Sequence, residues 1–279
     1  MRIIEWERDD PLSLPHGVSM TIGVFDALHL GHRELIHRIQ EREFGADSLV
    51  ITFRDNPLKV LQPGGYPGNV LTLDQKLERI AALGVRSVLL IDFSLDFSKM
   101  SGTEFILKIN ALFRPHLLVL GTNFRCGHRN DTNAGKVQSL LGSQGVRVDI
   151  VEPVLDNGIP VSSTRIRAAI QAGDLSTARR LLGSDYFLEL GGAAVQMNHQ
   201  VYLVDAGDLT QVLPAAGTFD VTMYQGLPSF KGEYRREVSA GTVHPAPIRT
   251  RVTIDHGSLR WPKEIGSGYS HVRFDGTTG

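Results

Sequence analysis

What this sequence lacks argues against an intrachain disulfide and against a membrane-spanning helix. Its 279 residues include one cysteine, Cys126, which has no second cysteine in the chain to pair with. No stretch approaches the roughly 20 apolar residues of a membrane-spanning helix. The first ten residues carry charged side chains such as Glu5, Glu7, Asp9 and Asp10 in place of the apolar core of a signal peptide. We therefore expect a reduced, cytoplasmic protein.

An excess of charge of one sign is also missing. The 29 Lys and Arg residues nearly balance the 30 Asp and Glu residues, giving a formal net charge of −1. This balance predicts no broad basic face for nucleic acid or an anionic membrane, and nothing indicates an obligate protein partner. A composition of 42% hydrophobic and 21% charged residues is typical of a globular chain that buries a core. Small molecules are the expected partners.

Residues 1–183 alternate apolar runs with amphipathic segments, the pattern of repeated βα units around a mostly parallel sheet. The predicted strands are 18–24, 49–53, 87–93, 116–120 and 146–151. The predicted helices are 32–43, 73–83, 103–113, 134–142, 164–172 and 175–182. Two helix starts carry capping pairs, Thr72 with Gln75 and Ser101 with Glu104.

After Gly183 the hydrophobic period changes to that of short strands. The predicted strands are 187–190, 200–204, 217–224, 234–238, 248–254 and 271–274. Gly, Pro, Asp and Asn separate them, so this region is predicted to form an all-β barrel or sandwich. The boundary near Ser184 divides the chain into predicted domains 1–183 and 184–279.

The most informative stretch is 21–32, Thr-Ile-Gly-Val-Phe-Asp-Ala-Leu-His-Leu-Gly-His, an apolar strand that leads through a turn into a helix. Such a turn directs backbone N–H groups and the positive end of the helix dipole toward an anion. His29 and His32 can donate hydrogen bonds to phosphate oxygens, and Gly31 permits close backbone approach. Two ordinary surface histidines are the alternative, but the strand, glycine and spacing together favour a phosphate site.

A second stretch, Val-Ser-Ser-Thr-Arg-Ile-Arg at 161–167, lies at another predicted helix start. One of its hydroxyls is expected to cap the helix. Three consecutive hydroxyls and two arginines exceed what a cap requires, and they suit a triphosphate bound at the helix end. By itself this stretch does not decide between the two interpretations.

A third stretch, Leu-Gly-Thr-Asn-Phe-Arg-Cys-Gly at 120–127, follows the predicted strand 116–120. In open parallel sheets the loops at the carboxyl ends of the strands face one crevice, so this loop and the one after strand 18–24 can meet over one ligand. Alone the pattern is weak, because Asn123 can simply form a turn and Cys126 can be an inert small residue.

Together these stretches resemble the bacterial FAD synthetase family, which combines riboflavin kinase and FMN adenylyltransferase. Residues 23–32 resemble its G-x-F-D-G-x-H-x-G-H element, and Thr-Phe-Arg-Asp-Asn-Pro at 52–57 resembles T-F-x-P-H-P. Residues 121–127 resemble G-x-D/N-F-x-F-G, and residues 161–167 resemble I/V-S-S-T-x-I-R. The four motifs occur in the family's order, and the match extends over about the first 190 residues.

The resemblance implies a Rossmann-like HxGH nucleotidyltransferase domain followed by a small β-barrel-like domain. It implies transfer of AMP from ATP to FMN, giving FAD and pyrophosphate, with Mg²⁺ held mainly through the ATP phosphates. The implied catalytic residues are His29, His32, Ser162, Ser163, Thr164 and Arg167. The implied ATP-binding residues are Gly23, Phe25, Asp26, His29, Gly31, His32, Asn123, Ser162 and Thr164. The implied flavin-binding residues are Phe53, Asn56, Pro57, Phe124 and Arg125.

The sequence departs from the family in three places. Ala27 replaces a glycine, which is a mild change if its backbone stays at negative φ. Asp55 and Asn56 stand where the family has Pro and His, which affects the expected flavin site. The kinase element G-R-x-L-G-F-P-T-A-N is absent, and residues 191–200 read Gly-Gly-Ala-Ala-Val-Gln-Met-Asn-His-Gln instead. We therefore expect no riboflavin kinase activity.

Two other functions remain open at this point. Another HxGH transferase could use nicotinamide mononucleotide, phosphopantetheine or a polyol phosphate as its acceptor. From a different class, the chain could be a non-catalytic module that binds flavin or nucleotide.

Overall fold

The chain folds into two compact units. The computed structural model describes residues 1–6, 17–41, 47–226, 246–255 and 257–277. Within these, the first unit comprises Met1–Tyr66 and Glu78–Pro160, and the second comprises Pro67–Leu77 with the residues from Val161 onward. The predicted domains 1–183 and 184–279 stay a prediction, since the units group residues 67–77 and 161–183 with the C-terminal strands.

The first unit is built on a six-stranded parallel sheet in the order β1-β4-β3-β2-β5-β8. Its strands are β1 (Arg2–Glu5), β2 (Ser19–Ile22), β3 (Ser48–Phe53), β4 (Ser87–Ile91), β5 (Leu117–Gly121) and β8 (Arg147–Val151). Every residue of β2 and of β4 is buried. Apolar runs of this kind are expected where helices cover both faces of a parallel sheet. The sheet confirms the predicted fold class.

Five α-helices of the described residues lie in and around this unit, and two of them begin at side chains that the sequence marks as caps. They are α1 (Leu30–Arg38), α2 (Pro57–Leu61), α3 (Leu73–Ala82), α4 (Gly102–Phe113) and α5 (Ala134–Gly142). Ser101 caps α4 by accepting the Glu104 N–H at 3.1 Å, and Thr72 caps α3 by accepting the Gln75 N–H at 3.2 Å, so both predicted caps are confirmed. The division between the two units falls within α3.

Two short hairpins extend the first unit beyond the sheet. They are formed by β6 (Arg125–Cys126) with β7 (Thr132–Asn133), and by β9 (Leu155–Asp156) with β10 (Ile159–Pro160). The first hairpin contacts the start of α4, where Asp131 accepts the Gly102 N–H at 2.9 Å. Gly127 has a φ of +82°, and a Cβ there would lie 2.0 Å from the Gly102 nitrogen, so no side chain fits.

The second unit contains α6 (Ser163–Gln171), α7 (Leu175–Leu182) and a barrel-like antiparallel sheet. The seven strands follow the order β11-β17-β14-β15-β16-β13-β12. They are β11 (Phe187–Glu189), β12 (Gln196–Asn198), β13 (Val201–Asp205), β14 (Gly217–Tyr224), β15 (Ile248–Asp255), β16 (Ser258–Pro262) and β17 (His271–Thr277). Apolar residues such as Val221, Met223 and Val272 belong to the buried core of this sheet.

Two buried glutamines explain why residues 67–77 belong to the second unit. The Gln211 side chain donates to the Val70 carbonyl at 2.9 Å and to the Phe187 carbonyl at 2.9 Å, and it accepts the Glu189 N–H at 2.8 Å. Gln75 also donates to the Phe187 carbonyl, at 3.2 Å. Because these buried amides are satisfied by backbone groups, they hold the segment against β11.

Most predicted elements occur within two residues of their observed ends, and α5, α7 and β14 match the prediction at both ends. Helix α1 ends at Arg38, before the predicted end of that helix. The sequence did not predict β1, β12, β16, α2 or the two short hairpins. The predicted strand 234–238 lies outside the described residues. No helix in the described ranges is long and apolar enough to cross a membrane.

Candidate functional site

The loop after β2 holds two non-glycine residues in a left-handed conformation. Phe25 has a φ of +50° and Leu28 a φ of +43°, and both side chains are buried. The loop is attached to β3, since Gly23 donates to the Ile51 carbonyl at 3.0 Å and Thr52 donates its hydroxyl hydrogen to the Val24 carbonyl at 2.9 Å. Such conformations persist only where the surroundings enforce them, and they concentrate at functional sites.

The same loop buries Asp26 and Ala27. Ala27 is not among the residues with positive φ, so its backbone accommodates the replacement of the family's glycine. Phe25 lies beside Gly23, where an added Cβ would come within 3.1 Å of its ring. Gly23, Phe25 and Asp26 thus form a tightly packed turn that leads directly into α1.

His29 is the N-cap of α1. Its Nδ1 accepts the His32 N–H at 3.3 Å, and the two imidazoles stack with centroids 3.7 Å apart at an angle of 15°. The ring of His32 also contacts Phe25 at 5.0 Å, inclined by 66°. A Cβ on Gly31 would lie 3.2 Å from Cε1 of His29, so glycine lets this ring lie against the helix backbone.

Burial sets the protonation state of His29. Burial lowers the pKa of its imidazole from 6.5 to about 4, so the ring is neutral at pH 7. Because Nδ1 accepts the His32 N–H, the single ring hydrogen is assigned to Nε2. His29 can therefore donate one hydrogen bond to an anion without carrying a charge.

The low pKa of His29 makes the stability of the protein sensitive to acid. A pKa that is lower in the folded state than the unfolded value contributes stability above pH 6.5, and that contribution is lost as the pH falls from 6.5 toward about 4. The full loss is about 3 kcal/mol. Urea unfolding at both ends of this range should show a smaller loss of unfolding free energy for His29→Asn, because asparagine does not titrate. Asparagine can still cap α1, so the helix start should be kept.

His271 serves as an internal control in that comparison. Burial also lowers the pKa of its imidazole to about 4, and this residue is present in both proteins, so its contribution cancels. Equal acid sensitivity of the wild type and His29→Asn would contradict the assignment of a buried neutral imidazole at position 29.

The loop after β5 lies beside this turn. Strands β2 and β5 are neighbours, with Met20 paired to Leu118. The strand after β2 lies toward one edge of the sheet, and the strand that pairs with β5 on its other side lies toward the opposite edge. In parallel sheets such a switch point opens a crevice at the carboxyl ends of the strands, where ligands bind. The structure therefore brings the loop containing Asn123 next to the loop containing His29.

Within the β5 loop, the residues predicted to contact ligands differ in exposure. Phe124 donates its N–H to the Gly121 carbonyl at 2.9 Å, closing a turn, and its ring packs partly buried against the core of the sheet. Asn123 and Arg125 are exposed. Burial raises the pKa of the Cys126 thiol to about 12, so this cysteine stays protonated and unreactive.

The end of β3 carries the predicted flavin-side residues. Phe53 packs partly buried against the same core. Asn56 is buried and caps α2 by accepting the Leu58 N–H at 3.1 Å, and Pro57 is the first residue of that helix. Asp55 pairs with Lys59 on the surface at 2.8 Å. The residues that replace the family's Pro and His therefore hold a short helix together.

The hydroxyl-rich motif lies in the second unit at the start of α6. Ser162 is the N-cap and accepts the Arg165 N–H at 3.3 Å, which confirms the predicted cap. Ser163 and Thr164 occupy the first turn, where backbone N–H groups remain available to an anion. Arg167 is buried and donates from Nε to the Gly68 carbonyl at 3.0 Å. A shared ligand for this motif and the paired histidines stays a prediction.

Sequence reasoning overlooked an ion-pair network beside the predicted flavin residues. Arg54 donates to Glu5 at 2.6 Å and to Asp92 at 2.8 Å, and these residues follow or end three neighbouring strands. The available signal was a charged residue at the end of β1 and directly after β3 and β4. Among the described residues, no three His, Cys, Asp or Glu side chains are grouped so that they could hold a metal ion.

Comparison with known proteins supports the family resemblance of the first part of the chain. A family model described as FAD synthetase matches residues 12–165, more than half of the sequence. The bifunctional riboflavin kinase/FMN adenylyltransferase of Escherichia coli K12 is 28% identical over 246 residues, which cover 85% of this chain and 74% of that protein.

Two further relatives match over a shorter length. The bifunctional riboflavin kinase/FMN adenylyltransferase of Buchnera aphidicola from Acyrthosiphon pisum is 30% identical over 168 residues, covering 59% of this chain and 53% of its own. The protein of that name from Bacillus subtilis is 30% identical over 174 residues, covering 61% of this chain and 54% of its own. The chain thus spans about half the length of these two relatives.

A solved structure supports the fold alone. A crystal structure described as a macrolide-efflux protein from Streptococcus pneumoniae aligns with a TM-score of 0.77 at 22% identity, covering all of this chain (100%) and 91% of that one. At this identity the likeness carries no statement about activity.

The parallel sheet has the capping imidazole of His29 at its carboxyl edge and an antiparallel β unit after it in the chain. Together with the matched family model, this arrangement assigns the chain to the nucleotidyltransferase class. The matched region and its four motifs then specify the family. The chain belongs to the FAD synthetase family.

Proposed function

We propose that this enzyme joins AMP from ATP to FMN, giving FAD and pyrophosphate, and that it has no riboflavin kinase activity. The observation that carries the proposal is the turn from β2 into α1, where neutral His29 stacks on His32 at the carboxyl edge of a parallel sheet. Helix N–H groups and two imidazole donors at one point are suited to a polyphosphate. Membership in the FAD synthetase family supports FMN as the acceptor.

The reaction that we propose is an in-line displacement at the α-phosphorus of ATP. A phosphate oxygen of FMN forms the new bond to this phosphorus, and the bond from phosphorus to the bridging oxygen breaks, leaving its electron pair on pyrophosphate. A phosphate monoester with a second pKa of about 6 is already largely ionised at neutral pH, so no general base is needed. The work of the protein is alignment and stabilisation of charge.

We assign this work to the residues of both motifs. His29 donates from Nε2, and the N-terminal amides of α1 contribute their partial positive charge. His32 is the second imidazole donor, and Ser162, Ser163, Thr164 and Arg167 are assigned to the phosphates on the strength of the family motif. Gly23, Phe25, Asp26, Gly31 and Asn123 are assigned to ATP, and Phe53, Asn56, Pro57, Phe124 and Arg125 to the flavin.

Magnesium fits this set of residues as a companion of ATP. Mg²⁺ usually keeps several waters and binds through substrate phosphates with one or two carboxylates. The described residues offer no cluster of three candidate ligands, and buried Asp26 is the nearest carboxylate along the chain to His29. When bound, Mg²⁺ would neutralise charge on the phosphates.

The second unit supports the proposed absence of kinase activity. Where the family's kinase element is expected, the chain forms an exposed hairpin in which β12 pairs with β13 through a turn at His199. All three residues of β12 are exposed. Within the described ranges of this unit, β12 therefore does not form the enclosed kind of site in which ligands usually bind.

The test is chromatography of flavins after incubation of the protein with Mg²⁺-ATP and either FMN or riboflavin. We expect FAD from FMN and no product from riboflavin. Formation of FMN from riboflavin would contradict the loss of the kinase. Pyrophosphate release with another phosphorylated acceptor but not with FMN would favour a different HxGH transferase, and FMN binding without pyrophosphate release would favour a non-catalytic module.

A further inference from the structure

Five aromatic side chains meet at the carboxyl edge of the parallel sheet. We call Trp6, Phe53, Phe93, Phe97 and Phe105 the aromatic cluster. Trp6 follows β1, Phe53 ends β3, Phe93 follows β4, and Phe105 belongs to α4. Phe97 lies at the centre, with ring centroids 6.2 Å from Trp6, 6.3 Å from Phe53, 5.5 Å from Phe93 and 5.8 Å from Phe105.

The cluster is only partly covered by protein. The ring of Phe105 is buried, whereas the other four rings of the cluster keep part of their surface exposed. A partly exposed group of rings at this edge is suited to a planar aromatic ligand, which can stack on or abut them. Phe53 also belongs to the motif at 52–57 that resembles the family's flavin-side element.

The ion-pair network of Arg54 joins the residues that neighbour three of these rings in the chain. Glu5 precedes Trp6 in the chain, Arg54 follows Phe53, and Asp92 precedes Phe93. Arg54 bonds Glu5 at 2.6 Å and Asp92 at 2.8 Å, so the ends of three strands are linked directly beside these rings. The backbone N–H of Trp6 also donates to the Leu90 carbonyl at 2.9 Å.

The indole nitrogen of Trp6 is the unexplained feature of the cluster. Its Nε1 is buried and has no hydrogen-bond partner in the described part of the chain. Buried indole N–H groups usually have an acceptor, and an unsatisfied one calls for a reason. The group can only donate, so a ligand that satisfies it must present an acceptor such as a carbonyl oxygen.

We propose that the indole N–H of Trp6 donates a hydrogen bond to a carbonyl oxygen of the flavin ring, which the proposed function already assigns to the side of the aromatic cluster that carries Phe53. Trp6 is then a specificity-determining residue for the acceptor. The flavin ring is aromatic and carries carbonyl oxygens at one end, so it matches both the cluster and the orphan donor. This inference rests on the proposed function, because it names the contact that selects FMN.

Hydrogen-bond formation at Trp6 can be observed directly by NMR of the indole N–H groups. The chain has two tryptophans, and the second, Trp261, is buried in the β unit with its indole bonded to the Gly266 carbonyl at 2.9 Å. The Trp261→Phe variant assigns the Trp6 signal. We expect FMN to shift this signal downfield and ATP to leave it in place. An unchanged Trp6 signal while FMN is turned over would overturn the inference.

A substitution at Trp6 gives a second, kinetic readout. Trp6→Phe keeps an aromatic ring against Phe97 but removes the donor, so we expect the KM for FMN to rise about tenfold with the KM for ATP unchanged. The matched control, Trp261→Phe, should leave both values unchanged. An equal rise in both KM values, or no rise for FMN, would contradict the proposed contact.

The two proposals fail in different ways. If the wild type forms no FAD from FMN, the proposed function fails, whatever the Trp6 variant does. If the wild type forms FAD, and neither the Trp6 signal nor the KM for FMN of Trp6→Phe changes, the inference about Trp6 fails and the function stands.

Discussion

Replacement of His32 by alanine is expected to lower the rate of FAD formation by roughly a hundredfold to a thousandfold. The imidazole stacks on His29 at 3.7 Å and is assigned to a phosphate whose charge grows as pyrophosphate leaves. Alanine is a good helix former, so α1 should persist and the free energy of unfolding should change by no more than about 1 kcal/mol. Steady-state rates of FAD formation and urea unfolding of the variant measure the two effects.

His37 provides a matched control on the same helix. It lies in the last turn of α1 and is exposed, so His37→Ala removes the same side chain away from the turn that follows β2. We expect its rate to equal that of the wild type. Near-normal turnover of His32→Ala would remove His32 from the catalytic role assigned to it.

Replacement of Gly31 by alanine is expected to lower turnover by roughly tenfold to a hundredfold without loss of stability. A Cβ at this position would lie 3.2 Å from Cε1 and 3.3 Å from Nδ1 of His29, so the imidazole must move. Alanine in place of glycine within a helix commonly stabilises the fold by up to about 1 kcal/mol. Loss of activity without loss of stability would therefore mark a displaced donor.

Gly135 is the matched control for this substitution. Gly31 and Gly135 are each the second residue of a helix, behind a capping side chain. A Cβ on Gly135 would lie 3.6 Å from Oδ1 of its cap Asn133, which is an ordinary contact. We expect Gly135→Ala to keep full activity. Equal activity in the two variants would show that the position of the His29 ring does not matter for turnover.

The fold was predictable from the sequence wherever a pattern repeats. Buried parallel strands such as β4 read as continuous apolar runs, and α4 carries both an N-cap and an apolar face. Strand β1 was missed because it has four residues and buries only Ile4 at the edge of the sheet. Helix α2 has five residues, too few to show a period, although Asn56 and Pro57 are its start signals.

The candidate site was predictable as a set of residue types and not as a geometry. The spacing of His29, Gly31 and His32 indicated a phosphate site at a helix start, and the structure has the helix there. The neutral state of His29 could not be predicted, because it depends on burial and on which ring nitrogen accepts the His32 N–H. Trp6 was out of reach, since its position depends on the pairing of β1 with β4, far away in the sequence.

The most direct test of the central claim follows the α-phosphorus of ATP. The protein is incubated with FMN, Mg²⁺ and ATP labelled at that phosphorus, and the products are separated. Adenylyl transfer predicts that the label enters FAD, while label placed at the terminal phosphorus leaves in pyrophosphate. Label that remains in ATP or appears only as free AMP would contradict the account.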